Sequence, residues 1–248
     1  MELIHEPFDF NGQLKSVDSI LAVPVDKVQR FNHIPKSEEI GNLTLFIALC
    51  SAVHLRVRLK KEPQYNEFGQ VDKGGMVTDM TFRQRVIVQQ AFLNIMREHN
   101  KCFDFMFFGD EMTCILDTTF QSDIDELLEQ LAKLNSMMSI MSKKSQKFGL
   151  HAMEWGIGVH YGDTFVSVQR HHSADVHLNW SGPACYLARS LSGKAIGNAP
   201  NTVYSTDVFY HNLKDQYKGL MRKGNENTYT ANIVNRLIKD WQTDNLDK

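Results

Sequence analysis

At 248 residues, with 42% hydrophobic and 23% charged side chains, the chain can bury a sizeable core and has the composition of a soluble globular protein. A formal net charge of −2 argues against a general nucleic-acid or membrane-surface binder. No apolar run approaches the roughly 18 residues a membrane span requires, and four widely spaced cysteines, Cys50, Cys102, Cys114 and Cys185, read as reduced residues of a cytosolic protein instead of a disulfide set or zinc site.

The chain opens on MELIHEPFDFNG, acidic and too short in apolar length for a secretion signal. Residues 1–40 are expected to form an N-terminal extension packed on a main domain of residues 41–248. The run Leu43–Leu49, bounded by Gly41 and Asn42, suits a strand buried on both faces. Ser51–Leu59 is expected to be a short helix near whose end Arg56, Arg58, Lys60 and Lys61 form either a solvated basic face or a patch that helps steer a polyanion. Residues 62–79 are loop-like, with Pro63, Gly69, Gly74 and Gly75. A helix over about 80–99, capped by Thr78 or Asp79, carries Phe82, Val86, Phe92, Ile95 and Met96 as its apolar stripe.

The central stretch is FDFMFFGDEMTCILD, Phe103–Asp117. Gly109-Asp110 between two β-prone runs predicts a hairpin turn, with Gly109 able to take a positive φ. Asp110 at that tip either serves the turn or ligates a hard cation such as Mg²⁺. From Asp123, the spacing of Ile124, Leu127, Leu128, Leu131, Leu134, Met138 and Met141 predicts a long helix, its methionines filling core. Glu154–Val168 alternates around Gly162-Asp163 and is expected to be a second hairpin. Gly182–Leu191 reads as a helix entered from a Gly-Pro turn, and Thr202–Tyr210 and Tyr229–Val234 as late strands. His171, His172 and His177 have no second ligand pair at useful spacing and read as loop residues. No P-loop is present. The order of elements is α+β, one mostly antiparallel sheet with packed helices, matching a ferredoxin-like βαββαβ core with additions.

Four stretches in this order resemble the class III nucleotide cyclase domain: Phe46–Ser51, like its metal-binding strand; Phe108-Gly109-Asp110-Glu111-Met112, like its second metal hairpin; Gly156-Ile157-Gly158-Val159-His160-Tyr161-Gly162-Asp163; and the helix Trp180–Leu191. The resemblance covers about residues 41–235 and implies a palm-like α+β domain, a head-to-tail homodimer with active sites between subunits, and two Mg²⁺ or Mn²⁺ ions held by two aspartates. In that chemistry the cations activate the ribose 3′-hydroxyl and stabilise the leaving pyrophosphate. The triphosphate is expected over the backbone of Leu49, Cys50, Ser51 and Ala52 at a helix N-terminus, with the Leu49 carbonyl at the metal.

The resemblance also marks departures. The first metal aspartate is replaced by Ala48, leaving Asp110 alone of the pair. The chain then reads as a site-inactivated variant or a pseudo-enzyme, which Ala48→Asp tests. The base-selecting positions fall on Met106 and Asn179, which carry neither purine code. The expected base is therefore a pyrimidine, UTP or CTP, and the nearest family in character is the Pycsar pyrimidine cyclases of anti-phage defence. The transition-state Asn and Arg align with Tyr186 and Ser190, so Arg189, one residue off, or Lys194 is expected to meet the phosphates. Three functions compete: a pyrimidine cyclase, an inactive cyclase-like nucleotide-binding or dimerisation module, and a purine cyclase with an unusual base pocket.

Overall fold

The computed structural model describes residues 15, 29–36, 45–60, 79–170 and 176–247. The apolar patch 20–25, the loop-like stretch 62–78, and His171 and His172 lie outside the described residues. Among those described, nine strands form one sheet. Its main path is built from β3 (Cys102–Phe108), β4 (Glu111–Leu116), β2 (Leu45–Leu59), β5 (Trp155–Arg170), β7 (Thr202–Thr206), β9 (Thr228–Ala231) and β8 (Arg222–Lys223), in that spatial order. β1 (Gln29–Phe31) pairs in parallel with Ala48–Cys50 of β2, and β6 (Val176–Ser181) pairs with β5. Apart from β1–β2 and β5–β7, every pairing is antiparallel. The β2–α1–β3–β4–α2–β5 portion is the expected βαββαβ unit, with α1 at Asp79–Met96 and α2 at Gln121–Lys147.

Two strands are longer than the sequence reading allowed. Residues 51–59 are the second half of β2 and not a helix. The apolar residues Val53, Leu55, Val57 and Leu59 occupy one face, while His54, Arg56 and Arg58 occupy the other, the two-residue period of a strand. Residues 154–168 are one continuous strand, not a hairpin. Gly162 sits mid-strand opposite Ala52, and β2 and β5 hold an unbroken register from Leu45↔Gln169 to Leu59↔Trp155. Thr202–Tyr210 is strand only to Thr206; α4 (Asp207–His211) follows, capped by the Thr206 hydroxyl. β9 ends at Ala231 instead of Val234.

The odd-numbered face of β2 packs under α1 and α2 as the main core, with Val88, Phe92 and Met96 from α1 and Leu127, Leu131, Leu134 and Met138 from α2. The expected α2 stripe is buried throughout. On α1, however, Phe82 and Val86 are exposed, because the buried side of the helix runs through Val88, Phe92 and Ile95. The Asp123 carboxylate accepts the Phe120 N–H at 2.9 Å and so reaches back over the α2 N-terminus. The other face of the sheet carries a smaller apolar cluster of Ile34, Ala48, Cys50, Ala52, Ile115 and Val166. Above β5 it also carries α3 (Pro183–Asn198).

Two histidines face each other on that second side, His54 on β2 and His160 on β5. His54 is fully buried. Burial, with the positive charges of His160 and Arg56, pulls it from 6.5 to about 3, and burial pulls His160 to about 4. Both rings are therefore neutral in the fold. Above about pH 7 neither state protonates them. As pH falls below 6.5 the unfolded chain takes up protons that the folded one refuses, so stability declines toward pH 4. Chemical denaturation at stepped pH is expected to show a plateau above pH 7 and a fall between 6.5 and 4, steeper than in a His54→Gln, His160→Gln double variant.

Candidate functional site

The polar end of β2 determines the site. Across from Arg56 and Arg58 stand Thr113 and Glu111 on β4, and on the other side Gly158 and Gly156 on β5. The two glycines let α3 lie directly on the sheet. A Cβ on Gly158 would stand 2.1 Å from Ala188 O, and one on Gly156 2.3 Å from Ser192 O. That contact brings α3 beside the arginines: a Cβ on Gly193 would come within 3.3 Å of Arg58 Nη1. The β3–β4 turn closes the third side. Gly109 takes φ of +60°, and Leu59 N donates to Asp110 O at 2.9 Å. A cleft of about 450 Å³ opens between these parts, lined by Arg58, Lys60, Phe108, Asp110, Glu111 and Arg189.

The charges in this cleft are ordered. Glu111 is gripped by Arg58, by Arg56 Nη1 at 3.0 Å and by Arg189 Nε at 3.7 Å. Burial raises its pKa, but the Arg58 hydrogen bond and the three guanidinium charges outweigh that and hold the carboxyl below its usual value. Arg56 Nε also donates to Thr113 Oγ1 at 2.9 Å. Asp110 Oδ1 lies 2.5 Å from Arg85 Nε of α1, an ion pair whose geometry falls short of a hydrogen bond. Lys60 pairs with Glu154. Among the described residues, five cations thus face three carboxylates in a chain whose formal net charge is −2.

Of the residues singled out from the sequence, the fold brings Asp110 and Arg189 together at this cleft. Tyr186 lies one helical turn before Arg189 and is 71% exposed. Ala48 is elsewhere. It is fully buried in the second cluster, paired with Gln29 and Val166. Leu59 lies eleven steps further along the strand, roughly 36 Å at about 3.3 Å per residue. Ala48 and Asp110 therefore do not form a site, and the register that matched Ala48 to a metal aspartate is corrected. Leu49, Cys50, Ser51 and Ala52 stand mid-strand opposite Phe165, Thr164, Asp163 and Gly162. No helix begins there, so their backbone is not the triphosphate cradle expected of a helix N-terminus. Met106 packs beside Trp180 and Leu178 in the second cluster. Asn179 is exposed and alternates with them along β6, so the two expected base-reading positions are not brought together. Between them, Trp180 Nε1 donates to Asp104 Oδ2 at 2.7 Å.

Sequence reasoning missed Arg85 and Glu111, and it read Arg56 and Arg58 as a solvated basic run with at most a share in steering a triphosphate. The strict apolar–polar alternation from Val53 to Leu59 was the available signal for Arg56 and Arg58. Arg85 was not legible, because only packing sets α1 against the turn.

Two divalent cations, as the family resemblance implies, require carboxylate oxygens that open into the cleft. The described residues do not fit. The Asp110 and Glu111 side chains are 10% and 12% exposed and already paired with arginines. The strand facing the turn offers Arg56, Arg58 and Lys60 where a second carboxylate would be needed. Among the described residues no group of three or more His, Cys, Asp or Glu could hold a metal ion.

No family model matches the chain. Its solved neighbours share the class III nucleotide cyclase fold. The guanylyl cyclase Cya2 superposes with a TM-score of 0.57 at 12% identity, over 76% of this chain and 94% of that one. A class III adenylyl cyclase-like ATP-binding protein from Pseudomonas aeruginosa superposes with 0.57 at 13% identity, over 92% of this chain and 48% of that one. The fold is therefore that of a class III cyclase domain, α+β with a mostly antiparallel sheet. In sequence, the chain is similar to the uridylate cyclase of Treponema porcinum, 24% identical over 240 residues, spanning 94% of this chain and 80% of that protein. Among the described residues no helix is long and apolar enough to cross a membrane.

Proposed function

We propose that this protein is a nucleotide cyclase that converts a pyrimidine nucleoside triphosphate, UTP or CTP, to its 3′,5′-cyclic monophosphate and pyrophosphate. The observation that carries this is the similarity to a uridylate cyclase along nearly the whole chain, on a fold shared with cyclases. In the reaction the ribose 3′-oxygen attacks the α-phosphorus, the bond to the pyrophosphate oxygen breaks, and the 3′ proton leaves. Arg58, Lys60 and Arg189 line the cleft and meet the negative charge on the phosphates. The working form is a homodimer in the cytoplasm, with Tyr186 and Arg189 facing its seam, and the product serves as an anti-phage signal of the Pycsar kind.

A second reading is a cyclase-like module that binds nucleotide without turning it over. It is favoured by the arginine-paired carboxylates of the cleft. Incubation with each of the four nucleoside triphosphates and Mg²⁺ or Mn²⁺, followed by chromatography, separates the readings. Cyclic UMP or cyclic CMP is the expected product. A preference for ATP or GTP overturns the pyrimidine assignment, and no cyclic product from any of the four overturns the enzyme and leaves the binding module.

A further inference from the structure

We infer that this cleft takes the polyphosphate chain of its ligand on guanidinium and ammonium groups, without divalent cations. The inference rests on the reading of the cleft as the nucleotide site and adds how the charge is met there. The carriers are the depth order and sign of the charges. The carboxylates lie underneath, Asp110 at 10% and Glu111 at 12% side-chain exposure, each already held by arginine. The cations lie outward, Arg58 at 31%, Lys60 at 50% and Arg189 at 58%. A cation site needs the reverse order, with carboxylate oxygens presented to the cavity.

Glu111 acts here as a splint. By accepting from Arg58 and drawing Arg56 and Arg189 toward the same carboxylate, it fixes guanidinium groups that would otherwise repel one another. Each guanidinium carries five N–H donors, and one carboxylate cannot occupy those of three arginines. The remaining donors of Arg58 and Arg189 edge a cavity of about 450 Å³, within the size range of small-ligand sites. Planar forks of this kind match phosphate oxygens in pairs. The surplus of positive charge, in a chain of net charge −2, calls for a polyanion and repels a divalent cation arriving alone.

The test is calorimetric titration of the full chain with UTP and, separately, with inorganic tripolyphosphate, each in excess EDTA and in excess Mg²⁺. Affinity in EDTA is expected to stay within about threefold of that in Mg²⁺, and Mg²⁺ titrated alone to give no binding heat. Arg189→Ala and Arg58→Ala are each expected to weaken both probes by about tenfold or more, the scale of one lost charge-assisted contact. Arg189 is the more exposed, so its variant tests the inference even if Arg58→Ala disturbs folding. Binding that appears only with Mg²⁺, or that survives both substitutions, overturns the inference. The readout is heat, not product. A protein that binds in EDTA yet makes no cyclic nucleotide keeps this inference and loses the cyclase reading. One that cyclises but binds only with Mg²⁺ does the opposite.

Discussion

Ala48→Asp is expected to lower the stability of this protein by about 3–5 kcal/mol, the scale of an unpaired buried charge, and to give no gain in cyclic-nucleotide formation over the parent. The side chain at position 48 is fully buried between Ile34, Cys50, Ala52, Ile115 and Val166. None of these side chains offers a cation or a strong hydrogen-bond donor, so a carboxyl there must stay protonated or drag water into a dry cluster. β1 lies against the same stretch through Gln29↔Ala48 and would be loosened with it. Urea denaturation of the two proteins measures the loss, and product chromatography measures activity. An Ala48→Asp protein as stable as its parent that forms cyclic nucleotide faster than the parent would mean that position 48 does reach the phosphates.

The second large effect is expected at Gly158. Adding one methyl in Gly158→Ala sets a Cβ 2.1 Å from Ala188 O and 2.4 Å from Ser192 N, both backbone atoms of α3. Backbone of a packed helix cannot rotate aside as a side chain can, so α3 must lift from β5. Overpacking of this kind costs about 3 kcal/mol, about 6–12 °C in melting temperature for a chain of this size. Because α3 carries Arg189 to Glu111, the same change should weaken tripolyphosphate binding in the fraction that remains folded. Gly197→Ala, where an added Cβ meets nothing within 4 Å, is the matched control and is expected to leave both unchanged. Equal melting temperatures for the Gly158 and Gly197 variants would show that α3 does not rest on β5 as described.

The parts legible in the sequence were those whose pattern is local. α2 announced itself because seven apolar residues from Ile124 to Met141 repeat at helical spacing, and all seven are buried. The Gly109-Asp110 turn was legible because a positive φ between two β-prone runs demands glycine. The Gly156–Gly162 motif pointed to the right fold for a reason the sequence did not display, since Gly156 and Gly158 serve the approach of α3, and Gly162 lies mid-strand against the His160 ring instead of in a turn. The site was half legible. Asp110 and Arg189 could be picked out, but the company they keep could not. Residues 51–59 carry a strand alternation that puts Arg56 and Arg58 on the sheet face beside Glu111, where a helix would have left them toward solvent.

What the amino-acid order determined by itself was the two long helices α1 and α2, the α3 helix and the acidic tip between β3 and β4, because hydrophobic period and turn chemistry act over a few residues. Only the tertiary structure decided which end of β2 meets that tip. Strand register depends on pairing between segments more than fifty residues apart, and that pairing sets arginines, not a second carboxylate, beside Asp110 and Glu111.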